Sequence, residues 1–354
     1  MYNQQFIGIQ ALRFVAAMLV VLMHIDQTIL LRTPGAATGH YWTGGSAGVD
    51  IFFVISGFVM TVSAAPSPAD SRARCSTAWV FLKRRFVRIA PLYWFYTLLK
   101  ALVLLAVPSL ALRSSLDGGH LAASMLFIPA LNHRGLIQPV LPVGWTLNFE
   151  MLFYLVFAAA IAGGWGRIRF CLLVFLLIWA GAQFFPQAVP LAFYGHTLLF
   201  EFILGMGVAY ICVNMPDIAP PAGLLAAAAG VAFILGMGWG FSADRLSTWG
   251  VGAALLVLGT VWLEPWTARL PMASRLAFLG DASYSIYLSH TFVVPAGVLA
   301  LHELGMLGVL DTLGIVALVA VAVVALGCPL HVWLERPLTS LCKRALFKTP
   351  RLSF

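Results

Sequence analysis

The chain runs to 354 residues, 61% of them hydrophobic and only 10% charged, with a mean hydropathy of +0.93. A soluble domain carries about 25% charged residues, so this composition excludes an ordinary soluble protein and specifies a polytopic membrane one. The net charge of +8 needs no nucleic-acid partner, because the basic residues sort by membrane side.

Ten apolar segments are predicted as transmembrane helices, giving an all-α fold: roughly 7–30, 46–64, 87–107, 145–163, 169–185, 191–213, 221–240, 247–263, 277–299 and 309–331. The first carries Arg13, is too long for a signal peptide and ends on no small-residue cleavage site, so it is expected to remain as a span. Within it, Arg13 and His24 lie eleven positions apart. That spacing is three helical turns plus about 20°, so both share one face, roughly 16 Å apart along the axis. An arginine near a membrane-helix centre costs at least ~2.5–3.5 kcal/mol, so such residues usually face a partner or a wet cavity.

With the N-terminus inside, fifteen Lys and Arg fall on the cytoplasmic side and four (Arg32, Arg113, Arg134 and Arg245) outside, Arg13 and Lys100 lying within spans. This bias places both termini in the cytoplasm. Residues 1–342 read as one transmembrane domain and 343–354 as a short basic tail that can touch anionic headgroups. In the long outside segment, the apolar piece Leu121–Leu131 is expected at the interface. The five cysteines show no metal-type spacing, so they read as reduced thiols and no metal is expected.

Three spans bring ionisable groups to one outer level: His24, Asp50 just inside the second span and Glu150 just inside the fourth. An imidazole fixed by a carboxylate suits general-base chemistry on an alcohol, with Asp50 or Glu150 as the orienting group. The same residues also suit a helix cap and a buried structural hydrogen bond. At the inner end, Arg85 and Arg88 share a helical face before the third span, a spacing suited to gripping phosphates. Basic clusters also flank cytoplasmic helix ends for topological reasons alone. In the ninth span Ser283, Tyr287 and His290 share a face and carry polar groups toward the level of His24, either lining a channel or joining helices.

Taken together these segments resemble the membrane acyltransferase 3 family over almost the whole chain. The resemblance rests on Arg13 and His24, on Gly48-Val49-Asp50 through Gly57-Phe58, and on Arg85-x-x-Arg88 with Pro91 and Tyr93. It continues through Trp145-Thr146-Leu147-x-x-Glu150 with Phe153-Tyr154, Ser283-Tyr284-Ser285-x-Tyr287-Leu288-x-His290, and Glu335-Arg336-Pro337. It implies O-acylation, most often O-acetylation, of a cell-surface or lipid-linked saccharide, polyprenyl-linked carriers included, from cytoplasmic acetyl-CoA in the bacterial inner membrane. His24 and Arg13 then take the catalytic positions, with Asp50 and Glu150 as partners. Arg85, Arg88 and Arg13, with Tyr287 and His290, fall to the donor, whose arm threads past Arg13 toward His24. Direct transfer and a transient acyl-His24 are both open. The wording of the Trp145 segment is similar to the branch that decorates exopolysaccharide. The competing class is a transporter or flippase for a lipid-linked saccharide, which would show inverted repeats and matching broken helices.

Overall fold

The computed structural model describes residues 6–32, 42–64, 68–106, 117–216, 218–236, 244–309 and 311–347. Among them the fold is all-helical, with one isolated bridge between Leu131 and Ile137. The helices are α1 (Ile7–Arg32), α2 (Ala47–Ser63), α3 (Ser71–Ala106), α4 (Gly118–Met125), α5 (Trp145–Gly163), α6 (Arg167–Phe184) and α7 (Val189–Tyr194). They continue as α8 (Leu199–Asn214), α9 (Pro220–Gly236), α10 (Val251–Trp262), α11 (Glu264–Thr267), α12 (Ala273–Glu303), α13 (Thr312–Leu330) and α14 (Arg336–Leu346).

Among the described residues seven helical stretches are long and apolar enough to cross a membrane: Ile7–Leu31, Thr43–Ser63, Ser71–Ala106, Pro142–Gly163, Arg167–Phe184, Ala273–Glu303 and Thr312–Leu346. Three shorter apolar helices, Leu199–Asn214, Pro220–Gly236 and Leu246–Trp262, coincide with the remaining predicted spans. The outward faces of the long helices are apolar as well: Leu98, Leu102 and Leu105 on α3 and Leu173 and Leu177 on α6 are exposed. A helix that is apolar on every side belongs in lipid, where the outer face needs no polar cover. The chain is a multi-pass membrane protein.

Three predicted boundaries are corrected. The third span was expected over 87–107, but α3 begins at Ser71 and runs 36 residues, about 54 Å, well past a hydrocarbon core of about 30 Å. Its basic first half contains no helix breaker, and Pro91 sits inside the helix without ending it. The sixth span, expected over 191–213, is two helices, α7 and α8, because the chain turns at Gly195-His196, where His196 Nδ1 accepts from Leu198 N–H. The tenth continues from α13 through a π-turn, His331–Glu335, into α14. Residues 343–346, expected as a tail, are therefore the last turn of α14, and 348–354 lie outside the described residues. The Leu121–Leu131 segment begins as α4, capped by Asp117, whose side chain accepts from His120 N–H.

The described chain divides into two compact units, residues 1–63 with 200–331 and residues 64–199 with 332–354. The first centres on α1, which packs against α12, α2, α13 and α10. One core joins Leu12 and Ala16 to Ile51, Val54, Val208 and Val257; the other joins Ala17, Val21 and Ile25 to Ile286, Val294 and Val319. Close approach at α1 requires glycine, since a Cβ at Gly48 would meet the Ala16 carbonyl and one at Gly280 the Gln10 carbonyl. The second unit is built on α3 and α5, which run antiparallel: Phe81 meets Tyr154 and Phe157, while Tyr93 lies against Gly144. Its α4 segment is tied to α3 by the Tyr93 hydroxyl and Trp94 indole, which donate to the Ser124 and Met125 carbonyls at 3.1 and 2.7 Å.

Candidate active site

In the first unit, α1 and α12 bring two imidazoles together. His24 Nδ1 and His290 Nε2 are 3.1 Å apart, with ring centroids at 5.0 Å and planes 28° apart. His290 is buried, the Ile286 and Tyr287 backbone lies close to its ring, and its Nδ1 has no hydrogen bond of good geometry among the described residues. Tyr287 packs its ring 5.8 Å from that of His290 and 6.0 Å from Phe52 on α2. The expectation that a carboxylate fixes the His24 ring is corrected: the group at Nδ1 is a second histidine.

Asp50 is engaged elsewhere. Its two oxygens receive Arg245 Nε at 2.9 Å and Arg245 Nη2 at 2.7 Å, a bidentate pair with the carboxylate fully buried. Arg245 also donates to the Ser46 carbonyl and lies 4.9 Å over the Trp249 ring. Glu201, buried at the start of α8, faces Asp50 and packs on Gly250, and neither of its oxygens has a hydrogen bond of good geometry among the described residues. Residues from α2, α8 and the π-turn Leu246–Gly250 thus meet around one guanidinium. Sequence reasoning missed both partners of Asp50. Arg245 reads as an outside charge, whereas Glu201 carried a usable signal, an acidic residue inside an apolar run.

Arg13, on the His24 face of α1, donates from Nη1 to Gln10 Oε1 at 2.9 Å, and Gln10 Nε2 donates to Asp281 Oδ1 at 3.0 Å. The start of α1 is held by Glu264 of α11, which accepts from the Ile7 and Gly8 amides at 2.5 and 2.9 Å. Two of the amides left orphaned at a helix N-terminus are thereby satisfied by a carboxylate from across the chain. Partial burial raises the Glu264 carboxyl above its ordinary range, against the opposing pull of those amides and Thr267. Asp26, on another face of α1, accepts from the Trp42 amide.

The second unit holds Arg85, Arg88 and Glu150. Arg85 is half-buried over Phe81, 5.6 Å from the ring centroid, while Arg88, one turn on, is exposed. The Tyr154 hydroxyl donates to Glu150, and both lie within electrostatic range of Arg85. The three expected residues and Tyr154 therefore form one cluster along α3 and α5. This corrects the expectation that Glu150 stands at an outer level and Arg85 and Arg88 at the inner end. Because α3 already begins at Ser71, the two arginines lie well inside it and meet the first turns of α5. Among the described residues no group of three or more His, Cys, Asp or Glu could hold a metal ion.

A family model described as Acyltransferase domain matches residues 6–332. The chain is 38% identical over 307 residues to Exopolysaccharide production protein ExoZ of Rhizobium meliloti (strain 1021), covering 85% of this chain and 92% of that one. It is 29% identical over 325 residues to Acyltransferase MdmB of Streptomyces mycarofaciens, covering 82% and 79% respectively. Protein 2 in picA locus of Rhizobium radiobacter is 29% identical over 169 residues, 44% of this chain and 82% of that one. No solved structure matches significantly.

Proposed function

This chain belongs to the acyltransferase family, and from that premise we propose that it moves an acetyl group from acetyl-CoA to a hydroxyl of a cell-surface or lipid-linked saccharide, with His24 as general base. That it is an acyltransferase, moving groups other than amino-acyl groups, follows from the family and its relatives. The saccharide acceptor is supported by the exopolysaccharide production named for one relative. In this reading all ten apolar helices cross the bacterial inner membrane, with both termini cytoplasmic.

The observation that carries the mechanism is the 3.1 Å contact between His24 Nδ1 and His290 Nε2. In this reading His290 carries its proton on Nδ1, on the side of the ring away from His24, which leaves Nε2 as an acceptor. His24 Nδ1–H then donates to that acceptor, and His24 Nε2 keeps a lone pair. As the saccharide oxygen attacks the thioester carbonyl, its proton passes to His24 Nε2. A carbon–oxygen bond forms, the carbon–sulfur bond breaks, and the departing thiolate takes the proton. The His24–His290 hydrogen bond strengthens while His24 is cationic, which is the work a carboxylate does in other sites. Arg13 supplies a cation on the same helical face, held through Gln10 and Asp281. In the second unit, Arg85 and Arg88 are one turn apart and suit the phosphates of the donor.

The test is the O-acetyl content of surface polysaccharide, by proton NMR, in a deletion strain complemented with wild type, His24→Ala or His290→Phe. Wild type should restore acetylation and normally expressed His24→Ala should not, while His290→Phe should lower the transfer rate of the purified protein roughly 10²–10⁴-fold. Full acetylation by His24→Ala would overturn the assignment. Unchanged acetylation with altered export in the deletion strain would move a transporter to first place.

A further inference from the structure

We propose that Asn148 in the second unit is a binding residue for the amide groups of the pantetheine arm of the acyl-CoA donor, an assignment that rests on the acetyl-CoA reading above. Asn148 is 1% exposed, yet neither its Nδ2 nor its Oδ1 has a hydrogen-bond partner among the described residues. A buried carboxamide with both ends unmet is costly, and native proteins rarely keep one.

The helix is held in place at this position. The Tyr194 hydroxyl donates to the Asn148 backbone carbonyl at 3.4 Å, and the adjoining Phe149 is clamped by the rings of Trp145, Phe193 and Tyr194 at 5.9, 4.8 and 5.4 Å. The antiparallel register of α3 and α5, fixed by the Phe81 contacts at one end and Tyr93–Gly144 at the other, puts Asn148 at about the level of Arg88–Ile89. The unmet amide therefore lies close in depth to the exposed Arg88 guanidinium and within about a turn of Arg85.

The ligand class follows from what the carboxamide lacks. It needs one neutral acceptor for Nδ2 and one neutral donor for Oδ1, presented by a group able to enter a buried site. Pantetheine is a methylene chain interrupted by two secondary amides, each offering one carbonyl and one N–H, attached to the phosphates that Arg85 and Arg88 suit. A saccharide ring offers hydroxyls on every side, and the burial of Asn148 would leave most of them unpaired.

The decisive variant is Asn148→Leu, nearly equal in volume and without polar atoms, studied in the full-length protein in detergent. It should raise the KM for acetyl-CoA roughly ten-fold, leave the KM for the saccharide acceptor unmoved, and raise the thermal midpoint of the unliganded protein by removing the unmet amide. Stabilisation by added coenzyme A should shrink in parallel. A lower midpoint with unchanged donor KM would make Asn148 structural and overturn the proposal, and a shift in the acceptor KM alone would assign it to the saccharide. Asn148→Ser, which keeps a hydroxyl but loses reach, should show the same donor shift; failure of both variants to fold would also overturn it. If wild type transfers nothing from acetyl-CoA, the donor reading itself falls. Wild-type transfer with unaltered donor KM in the variants removes only the role of Asn148.

Discussion

The two units assemble their polar groups in opposite ways. In the first, the contacts that matter join residues far apart in the chain: 266 positions between His24 and His290, 195 between Asp50 and Arg245, 271 between Gln10 and Asp281. In the second, the charged cluster is mostly helical neighbours, Arg85 with Arg88 on α3 and Glu150 with Tyr154 on α5, brought together by one antiparallel pair. A cluster made by helical periodicity tolerates loss of a member, because the helix still holds the rest. A cluster made by tertiary packing leaves a buried group stranded.

That contrast can be broken by substitution. Arg245→Met strands the fully buried Asp50 beside Glu201 and should destabilise the protein by about 3–5 kcal/mol, read as a lower midpoint in thermal unfolding. Adding Asp50→Leu should recover part of the loss; a single variant as stable as wild type would refute the difference between the units. Tyr154→Phe in the second unit should cost only about 1.5 kcal/mol, since it removes one hydrogen bond to a half-buried Glu150 that still has Arg85 nearby. A loss equal to that of Arg245→Met would show that the local cluster is no more tolerant.

The smallest effect concerns Glu264, whose cap joins residues 257 positions apart. Its carboxyl is raised in the folded protein, so on titration upward the unfolded chain ionises first and the folded state holds more protons over that interval. Stability should therefore fall slightly as pH rises from the ordinary carboxyl range through the raised folded value. Glu264→Gln should remove this slope from a series of thermal midpoints against pH; an unaltered slope would assign it to other groups.

Legibility followed the same division. That Arg13 and His24 share a face is helix arithmetic, and α1 carries both without interruption. The Arg85/Arg88 pair was equally open to reading, as was the depth of His290. The start of α3 was not, because basic residues end a hydropathy window without ending a helix, and nothing between Ser71 and Pro91 forbids helical geometry. Nor was the break between α7 and α8, where Gly195-His196 turns an apolar run that has no polar boundary.

The amino-acid sequence by itself determined the class of the protein, its all-helical character and the family to which it belongs, because hydropathy, helical period and motif order are properties of neighbouring residues. It showed also which ionisable residues stand inside apolar segments, since each carries a desolvation cost visible in its own segment. Only the tertiary structure decided who meets whom: that His24 pairs with His290 rather than with a carboxylate, that Asp50 belongs to Arg245, and that the Asn148 side chain has no partner among the described residues. The physical reason is that hydrogen bonds and ion pairs act over a few ångströms, and that proximity is set by the packing of α1 against α2, α10 and α12 and of α3 against α5.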